Sequence, residues 1–494
     1  MAPSILWYDL ETFGTDSRHD RIAQFACIRT DESLEETEEP VKLYCRPSMD
    51  YLPHPEACKV HGITPQTAWE LGLSEYEFAS RILLELSRPA TTAAGYNSIQ
   101  FDDEFIRNLL YRNFFDPYER EYANGNSRWD VINLARAAHD LRPDGIVWPK
   151  DASGSPIFRL GALARANGIA HESAHDALSD IRATIAVARM IRIKQPKLYD
   201  WYFSHRRRES LKPLIDLPAR KMLLHTASEY TSSLGCTTLV APVGMDPANR
   251  NQLIAIDLRY DPVELLDLTV EEIRQRVFAK ADQRVDPRVP LSRIRLNQCP
   301  YLAPEKTLDG ASALRLGVDK KLCAQRLGII NENPSLAQKL IAVFDEPMPP
   351  PDTDDPEFGL YTGGFFPDVD REKLNRLHTR IKEAEGSSSV LKSIKDSFKR
   401  IKFVDERIPR LMGRFFARNF PETLSPTEGL HWRDYCAKKI QLPVMEGSAE
   451  LADYGRLMEN ELSDPSLSAP TRAIIHALVE WKARLEEELL AWKR

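Results

Sequence analysis

The sequence predicts an α/β fold at its N-terminal end, a smaller and mostly β unit in the middle, and a helical unit at its C-terminal end. Three observations carry this reading. Short apolar runs follow one another within the first 46 residues, stretches of helical period follow them, and that period is lost between residues 210 and 300 before charged helical patterning resumes near residue 358. Strands that lead into helices imply a sheet with helices packed on it.

Residues 4–8 predict a first strand, residues 21–30 a second and residues 41–46 a third, each apolar or aromatic and bounded by polar turns. Three strands in succession suggest a meander at one sheet edge. Helical spacing follows at 76–86, 103–114, 130–141, 160–167 and 176–194. Gln195-Pro196 and the basic triplet Arg206, Arg207 and Arg208 mark a break, after which 237–241 and 252–258 read as strands. Pro347-Met348-Pro349-Pro350-Pro351, followed by acids up to Asp355, is the clearest linker, because stacked prolines stay extended and neighbouring acids repel. Glu385 to Ser389 reads as a helix-breaking loop. Ile474, Leu478, Trp481, Leu485 and Leu489 then form one stripe on a final helix from residue 470, which suits docking. The chain thus divides into residues 1–195, 196–350 and 356–494.

A chain of 494 residues predicts about three domains. Its 43% hydrophobic and 28% charged residues suit a soluble globular protein. A net charge of −7 argues against a protein that coats nucleic acid nonspecifically, while leaving room for a local basic channel. The seven cysteines are widely spaced with no C-x-x-C pair, so neither a disulfide framework nor a zinc ribbon is indicated. With no long apolar run and no leader pattern, a cytoplasmic location without membrane association is expected.

Four acids and a histidine carry the chemistry. Asp9 and Glu11 are two apart on the first strand and so face one side. Hard carboxylate oxygens with open positions suit Mg²⁺ or Mn²⁺. Asp102 lies where an apolar segment turns into a helix, with Asp103 assigned to capping that helix. Asp180 falls in the helix from residue 176, held down by Ile181, Ile185 and Ala188. His175 sits at its first turn, where the helix dipole disfavours the imidazolium and leaves a ring able to accept a proton.

These segments resemble the motifs of the DEDD exonuclease superfamily in its histidine-bearing branch. Asp9-Leu10-Glu11-Thr12-Phe13-Gly14, His61-Gly62-Ile63-Thr64-Pro65, Gly95-Tyr96-Asn97, Phe101-Asp102-Asp103-Glu104, Asn126-Ser127-Arg128-Trp129-Asp130, and Ala166-Asn167-Gly168-Ile169 before Ala174-His175-Asp176-Ala177 are similar to the bacterial exonuclease I family. The likeness is dense over residues 5–205 and thinner beyond. It implies an RNase H-like exonuclease domain with a mixed sheet, an SH3-like β domain and a C-terminal helical domain. The implied activity is processive removal of 5′-mononucleotides from the 3′ end of single-stranded DNA, in DNA repair and recombination. Asp9, Glu11, Asp102 and Asp180 would bind two Mg²⁺ ions, replaceable by Mn²⁺, about 3.5 to 4 Å apart. His175 would take the proton of the attacking water.

For DNA contacts the same region offers a belt of Arg107, Tyr111, Arg112, Phe114, Phe115, Tyr118, Arg120, Tyr122, Arg128, Trp129 and Arg136. Arginine binds phosphate, and aromatic faces stack on unpaired bases. Phe114 and Phe115 are expected to pack in the core, whereas Arg107 and Tyr111, opposite Leu109 and Leu110, are expected to face the groove. The resemblance places Arg159 and Glu11 at the substrate. It also implies a monomer that recruits the acidic C-terminal tail of single-stranded-DNA-binding protein, with Arg142 and Arg315 as the candidate groove. An exonuclease for RNA 3′ ends or a proofreading nuclease shares the five-residue site, but such relatives resemble only about the first 190 residues. A catalytically silent single-strand-binding scaffold would not need the complete set.

Overall fold

The computed structural model describes residues 2–170, 176–230, 233–279, 289–345, 354–441 and 451–490. The first sheet contains β1 (Ser4–Thr12), β2 (Ile22–Thr30), β3 (Val41–Tyr44), β4 (Thr91–Gly95) and β5 (Ser127–Asp130) in the order β3-β2-β1-β4-β5. The meander β1-β2-β3 is antiparallel, and β4 and β5 run parallel to β1, so the sheet is mixed. Two strands escape the sequence pattern. β4 is the small-residue run Thr-Thr-Ala-Ala-Gly, and β5 ends on Asp130, where the predicted helix was to begin.

Around this sheet stand α1 (Pro55–His61), α2 (Pro65–Leu71), α3 (Glu75–Leu86), α4 (Asp102–Arg112), α5 (Val131–Leu141), α6 (Leu160–Ala166), α7 (Ala177–Lys194) and α8 (Pro196–Ser204). α1 and α2 are not legible in the apolar period because each has only seven residues. Their start signals are local instead, a proline in the first turn behind His54 and Thr64 as caps. The two faces of β1 follow its period of two. Ile5 and Trp7 join the core formed with α5, α7 and α8, while Leu6, Tyr8 and Leu10 join the core formed with α3 and α4. Asp9 and Glu11 inherit the parity of Trp7, which turns them toward α7.

The second sheet is antiparallel throughout. It comprises β6 (Leu223–Thr226), β7 (Thr237–Met245), β8 (Gln252–Asp257), β9 (Leu291–Arg295) and β10 (Tyr301–Pro304), ordered β10-β6-β7-β8-β9. The expectation of a mostly β unit needs correction. Helices α9 (Arg208–Leu211), α10 (Glu264–Asp267), α11 (Val270–Phe278), α12 (Gly310–Arg315), α13 (Lys320–Glu332) and α14 (Pro334–Ala342) accompany the sheet, and Leu336, Ala337 and Leu340 of α14 bury on it. The core is continuous with that of the first sheet. Asp140 of α5 accepts from the Cys236 N–H at 2.7 Å and the Thr237 hydroxyl at 2.6 Å, which ties the two sheets together.

The remainder is helical: α15 (Asp368–Glu383), α16 (Ser388–Phe398), α17 (Arg407–Asn419), α18 (Pro426–Gln441), α19 (Leu451–Leu462) and α20 (Ala469–Leu490). On α20 the predicted stripe docks as expected, with Leu478, Trp481, Leu485 and Leu489 buried beside Ile475. The proline-rich linker at 347–351 lies outside the described residues.

The C-terminal helices are joined to the first sheet by a buried charge cluster. Arg21 donates to Asp50 at 3.1 Å and to Glu357 at 3.4 Å. Arg418 donates to Glu357 at 2.6 Å and to Asp50 at 3.1 Å, and Lys439 reaches Asp50 at 2.9 Å. Arg112 and Glu75 extend the cluster at 3.3 Å. All seven cysteines are free and buried, and among the described residues no helix is long and apolar enough to cross a membrane.

Candidate active site

Asp9 and Glu11 project from one face of β1, and Asp180 reaches them from the first turn of α7. The start of that helix is set by Asp176, whose side chain accepts from the Ser179 N–H and is held by Lys42 at 2.7 Å. One carboxylate oxygen from each of Asp9, Glu11 and Asp180 lies within 4.8 Å of the others. Residues 171 positions apart in the chain thus share one cation-sized space. Asp102 stands next to this trio rather than inside it. It occupies the first turn of α4, and its Oδ1 accepts from the N–H of Leu10, the residue between Asp9 and Glu11, at 3.0 Å. His175 lies outside the described residues.

Electrostatically the pocket is overloaded with negative charge. Burial raises the Asp9 carboxyl well above its ordinary range, and the Asp180 charge raises it further. Glu11 is pushed up to about 9, first by burial and then by Asp9, Asp180 and Asp176, with Lys42 in partial opposition. Asp102 is raised by burial, by Asp9 and by Asp103. Buried carboxylates without enough cationic partners are costly, and a hard divalent cation with oxygen preference removes that cost. The donor set therefore fits a magnesium-type ion.

Asp103 does not cap its helix, contrary to the sequence expectation. It accepts from Arg120 at 2.6 Å, from Arg128 at 2.7 Å and from the Tyr8 hydroxyl at 2.7 Å. Burial alone would raise it, but the two guanidinium groups hold it well below the usual carboxylate range. The adjacent acids thus divide the work: Asp102 is poor in positive neighbours and Asp103 is rich in them.

The predicted DNA belt is only partly exposed. Arg107 is 4% exposed and bound to Glu121 at 2.8 Å and Glu104 at 2.6 Å, so the open position expected of it is wrong. Tyr111 is also buried, donating to the Pro356 carbonyl at 2.8 Å and stacked on Phe366. The cause is tertiary: the segment from Pro356 to Phe366 returns across α4 and covers the face that spacing left free. Arg112, Arg120 and Arg128 are buried ion-pair partners, and Trp129 and Phe114 are core. Phe115 packs flat on His378 at 4.1 Å between ring centroids.

Tyr118 is half-buried beneath the Arg107 guanidinium, and Tyr122 is 68% exposed. Arg136 is half-buried and donates to Asn133. Arg159 is exposed at the start of α6. The Arg206 to Arg208 triplet is tied to its neighbours: half-buried Arg206 stacks on Phe203 and bonds Ser127, exposed Arg207 bonds the Gly125 carbonyl and half-buried Arg208 the Arg250 carbonyl. Arg142 pairs with Asp309 at 3.0 Å, and Arg315 donates to the Asp140 carbonyl.

Comparison with known proteins finds similarity over nearly the whole chain. Residues 6–188 match the family described as Exonuclease, residues 206–346 the Exonuclease I SH3-like domain, and residues 354–485 the Exonuclease I C-terminal domain. The Exodeoxyribonuclease I of Escherichia coli (strain K12) is 41% identical over 448 residues, covering 90% of this chain and 92% of the relative. The crystal structure of E. coli Exonuclease I in complex with a dA16 oligonucleotide superposes with a TM-score of 0.90 at 38% identity, covering 98% of this chain and 100% of that one. A moderately thermophilic Exonuclease I from Methylocaldum szegediense superposes with a TM-score of 0.90 at 42% identity, with the same coverage.

Proposed function

This chain belongs to the exodeoxyribonuclease I family, and on that premise we propose that it degrades single-stranded DNA from the 3′ end to 5′-mononucleotides. The observation that carries the reading is the convergence of Asp9, Glu11 and Asp180 within 4.8 Å, with Asp102 bonded to the strand between the first two. These four acids would hold two Mg²⁺ ions, or Mn²⁺ in their place. Such ions, when bound, supply Lewis-acid polarisation of the phosphodiester and stabilise both attacking and leaving oxygens.

The chain's own residues do the remainder. Asp9 and Glu11 are held in the register of β1 with β2, opposite Ala26 and Gln24, so their oxygens need little reorganisation. We read Glu11 as also facing the substrate, and Arg159, exposed at the start of α6, as a contact to the substrate near the cleavage site. His175 takes the proton from the attacking water. We read Tyr118 and Arg136 as further contacts along the strand. Arg107 and Tyr111 would then act from behind the groove, by holding Tyr118 and the Pro356 to Phe366 segment.

Replacing His175 by alanine should lower the rate by roughly 10² to 10⁴ while leaving binding of an oligonucleotide nearly unchanged. With an ordinary histidine pKa of about 6.5, wild-type activity should climb from acid toward neutral pH. An unaltered rate in the variant removes His175 from the mechanism.

A second expectation concerns pH and stability. In the cation-free protein Glu11 keeps its proton up to about 9, whereas an unfolded glutamate loses it near 4.5. Across that window the unfolded chain binds fewer protons, so this group makes stability fall as pH rises. Melting in EDTA should therefore drop between about pH 6 and pH 9, and Mg²⁺ should raise the melting temperature more at the higher pH. Equal magnesium shifts at both values would contradict the overloaded pocket.

We divide the chain at 1–195, 196–350 and 356–494, with the three parts enclosing the strand so that it dissociates slowly and the enzyme acts processively. A cytoplasmic monomer serving DNA repair and recombination follows from the same reading. Its expected partner is the acidic C-terminal tail of single-stranded-DNA-binding protein, near Arg142 and Arg315. A time course on 3′-labelled and 5′-labelled single-stranded DNA, RNA and duplex, with Mg²⁺ or EDTA, tests the proposal. Mononucleotide release from the 3′ end of single-stranded DNA, stopped by EDTA, is expected; preference for RNA or duplex, or activity in EDTA, overturns it.

A further inference from the structure

The turn that delivers Asp102 is anchored by a buried carboxylate that the proposed chemistry does not use. Asp130, the last residue of β5, is 2% exposed. Its Oδ1 accepts from the Asn97 N–H at 2.8 Å and the Ile132 N–H at 3.1 Å, and its Oδ2 accepts from the Ile99 N–H at 3.2 Å. Capping α5 requires only the bond to Ile132. The other two are directed at the turn between β4 and α4, where Asn97 adopts a left-handed φ of 65°.

From that turn the bonding continues without a gap to the acidic cluster. The Asp103 N–H donates to the Ser98 carbonyl at 2.9 Å, closing the turn onto the first residues of α4. Asp102 then accepts from Leu10 at 3.0 Å, between Asp9 and Glu11. The opposite side of the turn has no slack. A methyl group on Gly95 would lie 2.6 Å from Ser98 Cβ and 3.0 Å from the Tyr8 carbonyl oxygen.

We propose that Asp130 is a positioning residue for Asp102, setting the fourth carboxylate at the metal pocket by holding the Asn97 to Ile99 turn. It touches neither substrate nor ion and acts only through the backbone it pins. The proposal rests on reading Asp102 as a ligand of the paired-ion site. Partners that orient metal ligands are worth about 10- to 100-fold in metal affinity.

The test is a titration of the full chain with Mn²⁺, followed by electron paramagnetic resonance, on wild type, Asp130→Asn, Gly95→Ala and Asp9→Ala. In Asp130→Asn the side-chain oxygen keeps the bonds to Asn97 and Ile132, while its amide group faces the Ile99 N–H donor to donor. Gly95→Ala displaces the same turn from its other side, and decides the matter if Asp130→Asn does not fold. Mn²⁺ affinity should fall about 10- to 100-fold in both, with kcat reduced and KM for an oligonucleotide unchanged. A wild-type Mn²⁺ isotherm in a folded variant overturns the positioning role. If Asp9→Ala also binds Mn²⁺ like wild type, the failure belongs instead to the four-acid reading of the site.

Discussion

Asp9→Ala is expected to release no measurable nucleotide at any magnesium concentration. Asp9 lies in the middle of the cluster: its oxygens share the cation-sized space with Glu11 and Asp180, and its charge is felt by Asp102 on the other side. Among the described residues no other acid acts on both Glu11 and Asp102. Losing a single electrostatic donor costs roughly 10² to 10³ in rate. Losing the acid common to the whole site should exceed that, and excess metal should not restore it. The same substitution should raise the melting temperature in EDTA, because burial and mutual repulsion of these carboxylates disfavour the metal-free fold. Substantial nucleotide release by the variant, or a lowered melting temperature, would count against the pocket as described.

Glu357→Ala is expected to destabilise the protein by about 3 to 5 kcal/mol, as breaking a buried ion pair typically does. Glu357 is 1% exposed and accepts from Arg418 at 2.6 Å, Arg21 at 3.4 Å and Lys439 at 3.3 Å. Its removal leaves those cations buried with, among the described residues, Asp50 and Glu75 as their remaining acidic partners. Burial would raise the Glu357 carboxyl, but Arg418 and Lys439 hold it below its ordinary range. Its contribution is therefore present above about pH 4.5 and lost in stronger acid. Urea unfolding of wild type and variant near neutral pH measures the difference, and a loss under about 1 kcal/mol would show that the cluster relaxes or admits water. Because this cluster fastens the C-terminal helices to the first sheet, the variant should also make shorter digestion runs per encounter with DNA. Turnover on a short oligonucleotide should suffer less.

Much of the nuclease fold could be read from one-dimensional pattern. The antiparallel meander follows from three apolar runs, and α3 to α7 follow from helical spacing to within one or two residues at most ends. Strands β4 and β5 could not be read, since Thr91 to Gly95 is too small and short to alternate visibly, and Ser127 to Asp130 merges with the helix that follows. The motif acids were equally legible, and Asp9, Glu11 and Asp180 do converge. The roles of their neighbours were not. Asp103 looks like a cap because it opens a helix, yet its partners Arg120 and Arg128 lie 17 and 25 residues away. Arg107 and Tyr111 look free on a helical wheel because the segment that covers them follows some 245 residues later.

What this sequence determined by itself was parity and period: which side of β1 its carboxylates face, and which stripe of α20 buries. Those are properties of a repeating backbone, set within a few residues by steric geometry. Tertiary structure alone decided which charges are neutralised. Arg107, Arg120 and Arg128 were drawn into buried pairs, while among the described residues Asp9, Glu11 and Asp102 meet too few cations. Electrostatic energy depends on distances in space and on exclusion of water, and contacts beyond the reach of any local repeat set both.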